Sequence, residues 1–212
     1  MPLLFLVALG CSRGTGMASD SSTDDTGALG PYDSGAGDTE GEVVEAQDGR
    51  LVITEIWADD GGGAFEVFNP AAEALNLNGL SWTDDIEDPS AEDVFTITAD
   101  VWVASGGYAV FCEEALTLSN DAPVVVWGGT GDLSLEDQGD QIRLVAGWSS
   151  GSPTTIDLVD FNLFGWPAES QNNTYQLKTS AQDATNNDAA DSWCPESRTP
   201  TLGQANAADD PC

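Results

Sequence analysis

The chain has 212 residues, with 37 Asp or Glu against 5 Lys or Arg, no histidine and a formal net charge of −32 at neutral pH. A surface this acidic repels nucleic-acid phosphates and anionic lipid headgroups, so nucleic acid is excluded as a partner. The missing histidine removes Ser-His and Cys-His dyads, the common zinc sites and most neutral-pH general bases.

Leu3 to Leu9 form an apolar run that stops at Gly10 and Cys11. The run is too short to cross a hydrocarbon core of roughly 30 Å as a helix, yet it suffices for the apolar centre of a secretory signal. Ala8, Leu9, Gly10 and Cys11 resemble a bacterial lipobox, in which the cysteine takes the lipid and becomes the mature N-terminus. That resemblance implies a signal peptide over 1–10, lipidation at Cys11 and attachment to the membrane through that lipid. The implied location is the bacterial cell envelope outside the cytoplasm, on the outer membrane or the cell surface. Each buried methylene adds roughly 0.8 kcal/mol, so two or more acyl chains would hold the protein on a bilayer. Residues 11–50 are rich in Gly, Ser, Thr, Asp and Glu, and such a stretch cannot bury enough surface to offset its chain entropy. A disordered linker with a root-mean-square span of about 35 Å is expected there.

Past Arg50, short apolar runs alternate with Gly, Asp, Asn and Pro clusters, the pattern of strands and turns. The runs are Leu51 to Trp57, Phe65 to Phe68, Phe95 to Ile97, Val101 to Val103, Tyr108 to Cys112, Val124 to Trp127, Gln141 to Ala146 and Ile156 to Phe161. No window carries a helical period. Ile142, Leu144 and Ala146 alternate with Gln141, Arg143 and Val145, as in a strand with one buried face, whereas Val124 to Trp127 reads as a strand covered on both faces. One all-β sandwich over 51–206, followed by a tail over 207–212, accounts for the length.

The order of motifs resembles the lamin tail domain, an immunoglobulin-like β-sandwich also found in exported bacterial proteins. The resemblance rests on the run from Leu51 to Ile56, then on Glu66, Val67, Phe68, Asn69 and Pro70, and on Leu75, Asn76, Leu77, Asn78, Gly79, Leu80, Ser81 and Trp82. It continues through Gly106 to Phe111, Leu133 to Leu144 with its Gly139–Asp140 reversal, and Ile156 to Asp160. It closes with Gly165, Trp166 and Pro167, Trp193, Thr199, Pro200, Gly203 and Asn206. Thr201 and Leu202 lengthen the usual Thr-Pro-Gly closure. The resemblance implies a tethering or accessory part rather than a reaction.

If Cys11 carries lipid, Cys112, Cys194 and Cys212 remain. Cys194 and Cys212 share the polar C-terminal segment and are expected to pair. The closed loop would contribute about 3 kcal/mol in the chain-entropy model. Cys112 alternates with Tyr108 and Val110 and is expected to be a small buried hydrophobe. Without histidine, catalysis would fall to a carboxylate pair, and sequence alone selects none among so many acids. Acidic turns offer oxygen ligands for calcium, with Asp84, Asp85, Asp88, Asp137 and Asp140 as candidates, although none has the spacing of a known calcium loop. Trp82, Trp102 and Trp127 fit inside or beside apolar strands. Trp148 and Trp166 are the expected exposed pair for a stacked ligand such as a sugar. The function expected is a non-catalytic, membrane-anchored adhesion, scaffolding or tethering module, with a protein or cell-envelope polysaccharide as partner. Two alternatives stand beside it: a calcium- or polysaccharide-binding surface domain, and a carboxylate-dependent extracellular hydrolase.

Overall fold

The computed structural model describes residues 50–58, 63–85, 93–128, 133–135, 139–162, 166, 174–196 and 200–206. The expected signal peptide, Cys11 and all but the last residue of the linker lie outside them. The described part is all-β. Its twelve strands are β1 (Val52–Trp57), β2 (Ala64–Phe68), β3 (Leu75–Asn76), β4 (Ser81–Thr83), β5 (Val94–Thr96), β6 (Trp102–Val103), β7 (Tyr108–Cys112), β8 (Val124–Val126), β9 (Gln141–Ala146), β10 (Thr154–Asp160), β11 (Thr174–Leu177) and β12 (Trp193–Glu196). The helical pieces among the described residues are 3₁₀ turns of three residues, Trp148–Ser150, Thr179–Ala181 and Ala190–Ser192.

Six strands form one sheet in the order β12-β11-β1-β2-β7-β8, and four form another in the order β10-β9-β4-β5. A two-stranded ribbon pairs β3 with β6. All pairings are antiparallel except β7 with β8. The two larger sheets bury one apolar core between them, a β-sandwich. At its centre Phe65 of β2 stacks on Phe111 of β7 (centroids 4.7 Å apart) and meets Trp82 of β4 edge-on at 5.2 Å. Trp82 in turn meets Trp127 edge-on at 4.7 Å. Such ring pairs add about 0.5–1.5 kcal/mol each beyond the area they bury.

Two bulges set which side chains face which way. In the β1–β2 ladder the register jumps between Ile53 and Glu55, so Thr54 is the extra residue and Glu55, not Thr54, stands opposite Glu66. In the β9–β10 ladder it jumps between Thr155 and Asp157, so Ile156 and Asp157 are both buried in succession. Strict alternation would have put one of them outside.

Two expectations from the apolar runs are corrected. Val124 to Trp127 is not covered on both faces: β8 is an edge strand, with Val125 and Trp127 buried and Val126 42% exposed. Trp102 is not enclosed in its strand but 43% exposed.

Candidate functional site

The six-stranded sheet has a second buried face, away from the four-stranded sheet. A row of partners crosses it: Cys194, Gln176, Glu55, Glu66, Val110 and Val124 stand opposite one another in successive strands. Residues 200–206 cover this row. Leu202 packs with Ala64, Val110 and Cys112 in a small apolar cluster of its own. The rest of the attachment is polar. The Thr201 N–H donates to Glu55 Oε1 (2.9 Å) and the Thr201 hydroxyl to Oε2 (2.8 Å). The Gly203 N–H donates to Glu66 Oε2 (2.6 Å), whose Oε1 takes the Thr54 hydroxyl (2.6 Å). Asn206 Nδ2 donates to the carbonyls of Thr54 (2.7 Å) and Leu177 (3.0 Å). Thr201 and Leu202 thus fasten the segment through one carboxyl and one apolar cluster.

Both glutamates are fully buried, and desolvation disfavours their charged forms. Burial raises the Glu55 carboxyl above its ordinary range, against the bonds from Thr201 and Gln176. Burial and then the nearby Glu55 push Glu66 up to about 8, although the Thr54 and Gly203 donors oppose the rise.

A third buried acid joins the two sheets. Asp157 of β10 accepts the Ile53 N–H of β1 on Oδ2 (2.7 Å), together with Asn187 Nδ2 (2.8 Å). Its Oδ1 takes the Leu158 N–H (3.0 Å). Burial pushes its pKa up to about 7 against these bonds. Asn187 is itself held by the Trp193 indole, which donates to its carbonyl (2.6 Å). Asp157 forms part of the wall of an open cavity of about 530 Å³, with Thr155, Gln182, Asp183 and Asp188 around it. Asp183 is engaged in a local turn, its carboxylate taking the Asn186 amide and then the Asn186 and Thr185 N–H groups, all of which lower its pKa. Two of the three acids lining the cavity therefore use their oxygens to hold backbone in place. The third, Asp188, has its pKa raised by burial, and its charge adds to the rise at Asp157.

The ribbon makes a different surface. Leu75 stands opposite Val103 and Asn76 opposite Trp102. The Leu77 N–H bonds the Val101 carbonyl (2.8 Å), so Leu77 faces Val101 and Asn78 faces Asp100 one step on. Leu75, Leu77 and Val103 are buried in the core, leaving Asn78, Asp100 and Trp102 together on the other side with Asn76, which is itself buried. Asp100 Oδ1 accepts from both Asn76 Nδ2 (2.9 Å) and Asn78 Nδ2 (3.0 Å), which lowers the pKa of this exposed carboxyl. Buried Asn69 fixes the ribbon against the end of β2, its amide donating to the carbonyls of Glu73, Val103 and Ala104.

The residues expected from sequence are dispersed. Trp166 is half-buried and packs against Trp193 (5.4 Å), Tyr175 (5.7 Å) and Phe161 (6.1 Å), so it closes one end of the core. Trp148 sits partly exposed on a 3₁₀ turn between Gly147 and Gly151, and no ring contact joins it to Trp166. Asp84 is half-buried and takes the Ser134 N–H (3.1 Å), and burial raises its pKa. Asp140 Oδ1 takes the Gln141 N–H (2.8 Å). Asp85 is described, whereas Asp88 and Asp137 lie outside the described residues. Among the described residues no three of His, Cys, Asp and Glu come together to hold a metal ion. Cys194 is disulfide-bonded and Cys112 is a buried free thiol; Cys212, the partner expected for Cys194, lies outside the described residues. Sequence reasoning missed Glu55, Glu66 and Asp157 as buried acids and Trp102 as the exposed indole. No family model matches the chain, and no curated protein does either.

Proposed function

We propose that this chain is a non-catalytic, lipid-anchored module displayed outside the cytoplasmic membrane, an immunoglobulin-like sandwich of the lamin-tail type that serves in adhesion, scaffolding or tethering. The observation that carries this reading is the use made of the buried acids. Glu55, Glu66 and Asp157 are buried carboxyls, and each is engaged by backbone and side-chain donors of the fold. Their raised pKa values follow from burial with structural partners, which perturbs titration as much as an active site does. The lipobox-like Ala8 to Cys11 and the acidic stretch after it supply the anchor and the stand-off distance in this reading.

The test is mass spectrometry of the mature N-terminus from cells fed a labelled fatty acid. A diacylated Cys11 and membrane-fraction protein are expected, with Cys11→Ser shifting the protein to the soluble fraction. An unmodified Cys11 would remove the anchor from the proposal.

A further inference from the structure

We infer that the outward side of the β3–β6 ribbon is a binding platform for a neutral polysaccharide, with Trp102 stacking on a sugar ring and Asp100 and Asn78 accepting its hydroxyls. This deepens the reading of the chain as a displayed module and rests on it only for the place where binding would occur.

Trp102 carries the first part of the argument. A tryptophan left 43% exposed on a strand whose neighbours Val101 and Val103 turn inward gives up the largest burial gain that any side chain offers. The apolar side of a pyranose ring covers an indole of this kind while its rim hydroxyls stay free to hydrogen-bond. The polar groups beside the indole supply the second part. Asp100 Oδ1 is fixed by two carboxamides, which hold the carboxylate in one place and leave Oδ2 for an outside donor. Asn76 stands directly across from Trp102, and its own Oδ1 is engaged by the Asn78 and Val101 N–H groups. The group that faces the ligand is thus preorganised before binding, which lowers the ordering cost.

The support is also rigid. Gly79, at φ +86°, lets the chain turn directly after Asn78, and the turn closes through the Leu80 N–H on the Leu77 carbonyl (2.9 Å). Residues two apart along a strand lie about 7 Å from one another, so Asp100 and Trp102 stand as neighbours on the same side of the ribbon. Charge narrows the ligand. A chain at −32 repels sulfated and uronic-acid glycans, and stacking on an indole needs no charge on the sugar, so a neutral glycan is the ligand inferred.

The test is native affinity electrophoresis of the full chain in non-ionic detergent, through gels holding mixed-linkage β-glucan, xylan, galactomannan or dextran. Retardation by at least one of the four is expected, at about the same strength in roughly 0.5 M salt, where charge attraction is screened within a few ångströms. Trp102→Ala is expected to weaken it by about tenfold or more, Trp102→Phe to keep part of it, and Asp100→Asn, which keeps an acceptor for the buried Asn76 amide, to weaken it with little change in melting temperature. Passage through all four gels without retardation overturns the inference. So does retardation that salt abolishes, or loss in Trp148→Ala with none in Trp102→Ala. None of these outcomes depends on whether Cys11 carries lipid, so failure here leaves the anchoring proposal standing.

Discussion

Glu55 and Glu66 stand directly opposite each other on β1 and β2, on the face covered by residues 200–206. Two ionised carboxylates in that position would repel each other in a poorly screened site. With Glu66 held near 8, the pair carries at most one charge around neutrality, and its oxygens serve as acceptors for the closing segment. No cation figures among the groups that tune either acid. A chain with 37 acidic and 5 basic residues has few cations to place inside, so retained protons take the part that ion pairing plays elsewhere.

This arrangement fixes the pH dependence of stability. A carboxyl whose pKa is raised by folding holds its proton more tightly in the native state than in the unfolded chain. For Glu66 the contribution is complete below the ordinary value of 4.5 and is lost as pH climbs through about 8; for Asp157 the window runs from 3.8 to about 7. Melting temperature is therefore expected to fall between about pH 5 and pH 9. Glu66→Gln, which keeps an acceptor and cannot titrate, is expected to flatten the upper part of that fall. Thermal melts of the two proteins across the range decide the matter, and parallel slopes would falsify the assignment.

Gly203 is the tightest point of the closing segment. It has φ +83°, and a Cβ there would lie 2.5 Å from Asn120 Oδ1 and 2.8 Å from the Ala122 Cβ. Gly203→Ala is expected to destabilise by about 1–3 kcal/mol, partly through the backbone and partly by pushing on the loop whose Asn120 amide holds the Leu202 carbonyl (3.1 Å). Urea denaturation measures the loss. Amide exchange should show faster opening at Thr201 and Gly203 than in the core strands, and uniform exchange across the sheet would argue against a separately fastened segment.

Much of the fold was legible in the sequence because its strands are short, apolar and bounded by turn residues. The exposed indole was legible too. Val101 and Val103 share one phase of a strand, so Trp102 had to take the other, just as Asn76 does between Leu75 and Leu77. Reading Val101 to Val103 as an apolar run hid that alternation. The same habit gave Val126 a covered place. The buried acids were not legible, because bulges at Thr54 and Ile156 change which neighbours Glu55 and Asp157 meet, and a bulge carries no signal in a β-branched, glycine-free stretch. Several partners of those acids lie more than a hundred residues away, in Thr201, Gly203 and Ile53.

Asp157 is expected to matter to the sandwich although it lines an open cavity. Asp157→Ala strips the acceptor from the buried Ile53 N–H and from the Asn187 amide at once, a loss of about 2–3 kcal/mol for buried donors left without partners. Asp157→Asn keeps one acceptor oxygen and is expected to cost less than half as much. Equal losses in chemical denaturation would mean that the volume of the side chain, rather than its hydrogen bonds, matters at that position.

Cys112 offers a test of how the outer cluster is sealed. The residue is 1% exposed beside Ala64, Val110 and Leu202, its thiol lies 3.7 Å from the Val125 carbonyl, and burial pushes its pKa up. A thiol that is both hidden and protonated does not alkylate, since the thiolate is the nucleophile. Iodoacetamide at neutral pH is expected to leave Cys112 unlabelled in the native protein and to label it after denaturation. Native labelling at Cys112 that rises in Gly203→Ala would show that lifting residues 200–206 uncovers the cluster, since Leu202 is the side chain that closes it from above. Labelling that is equal in both proteins would place the seal elsewhere, in Leu116 and Leu118, which pack against the same group.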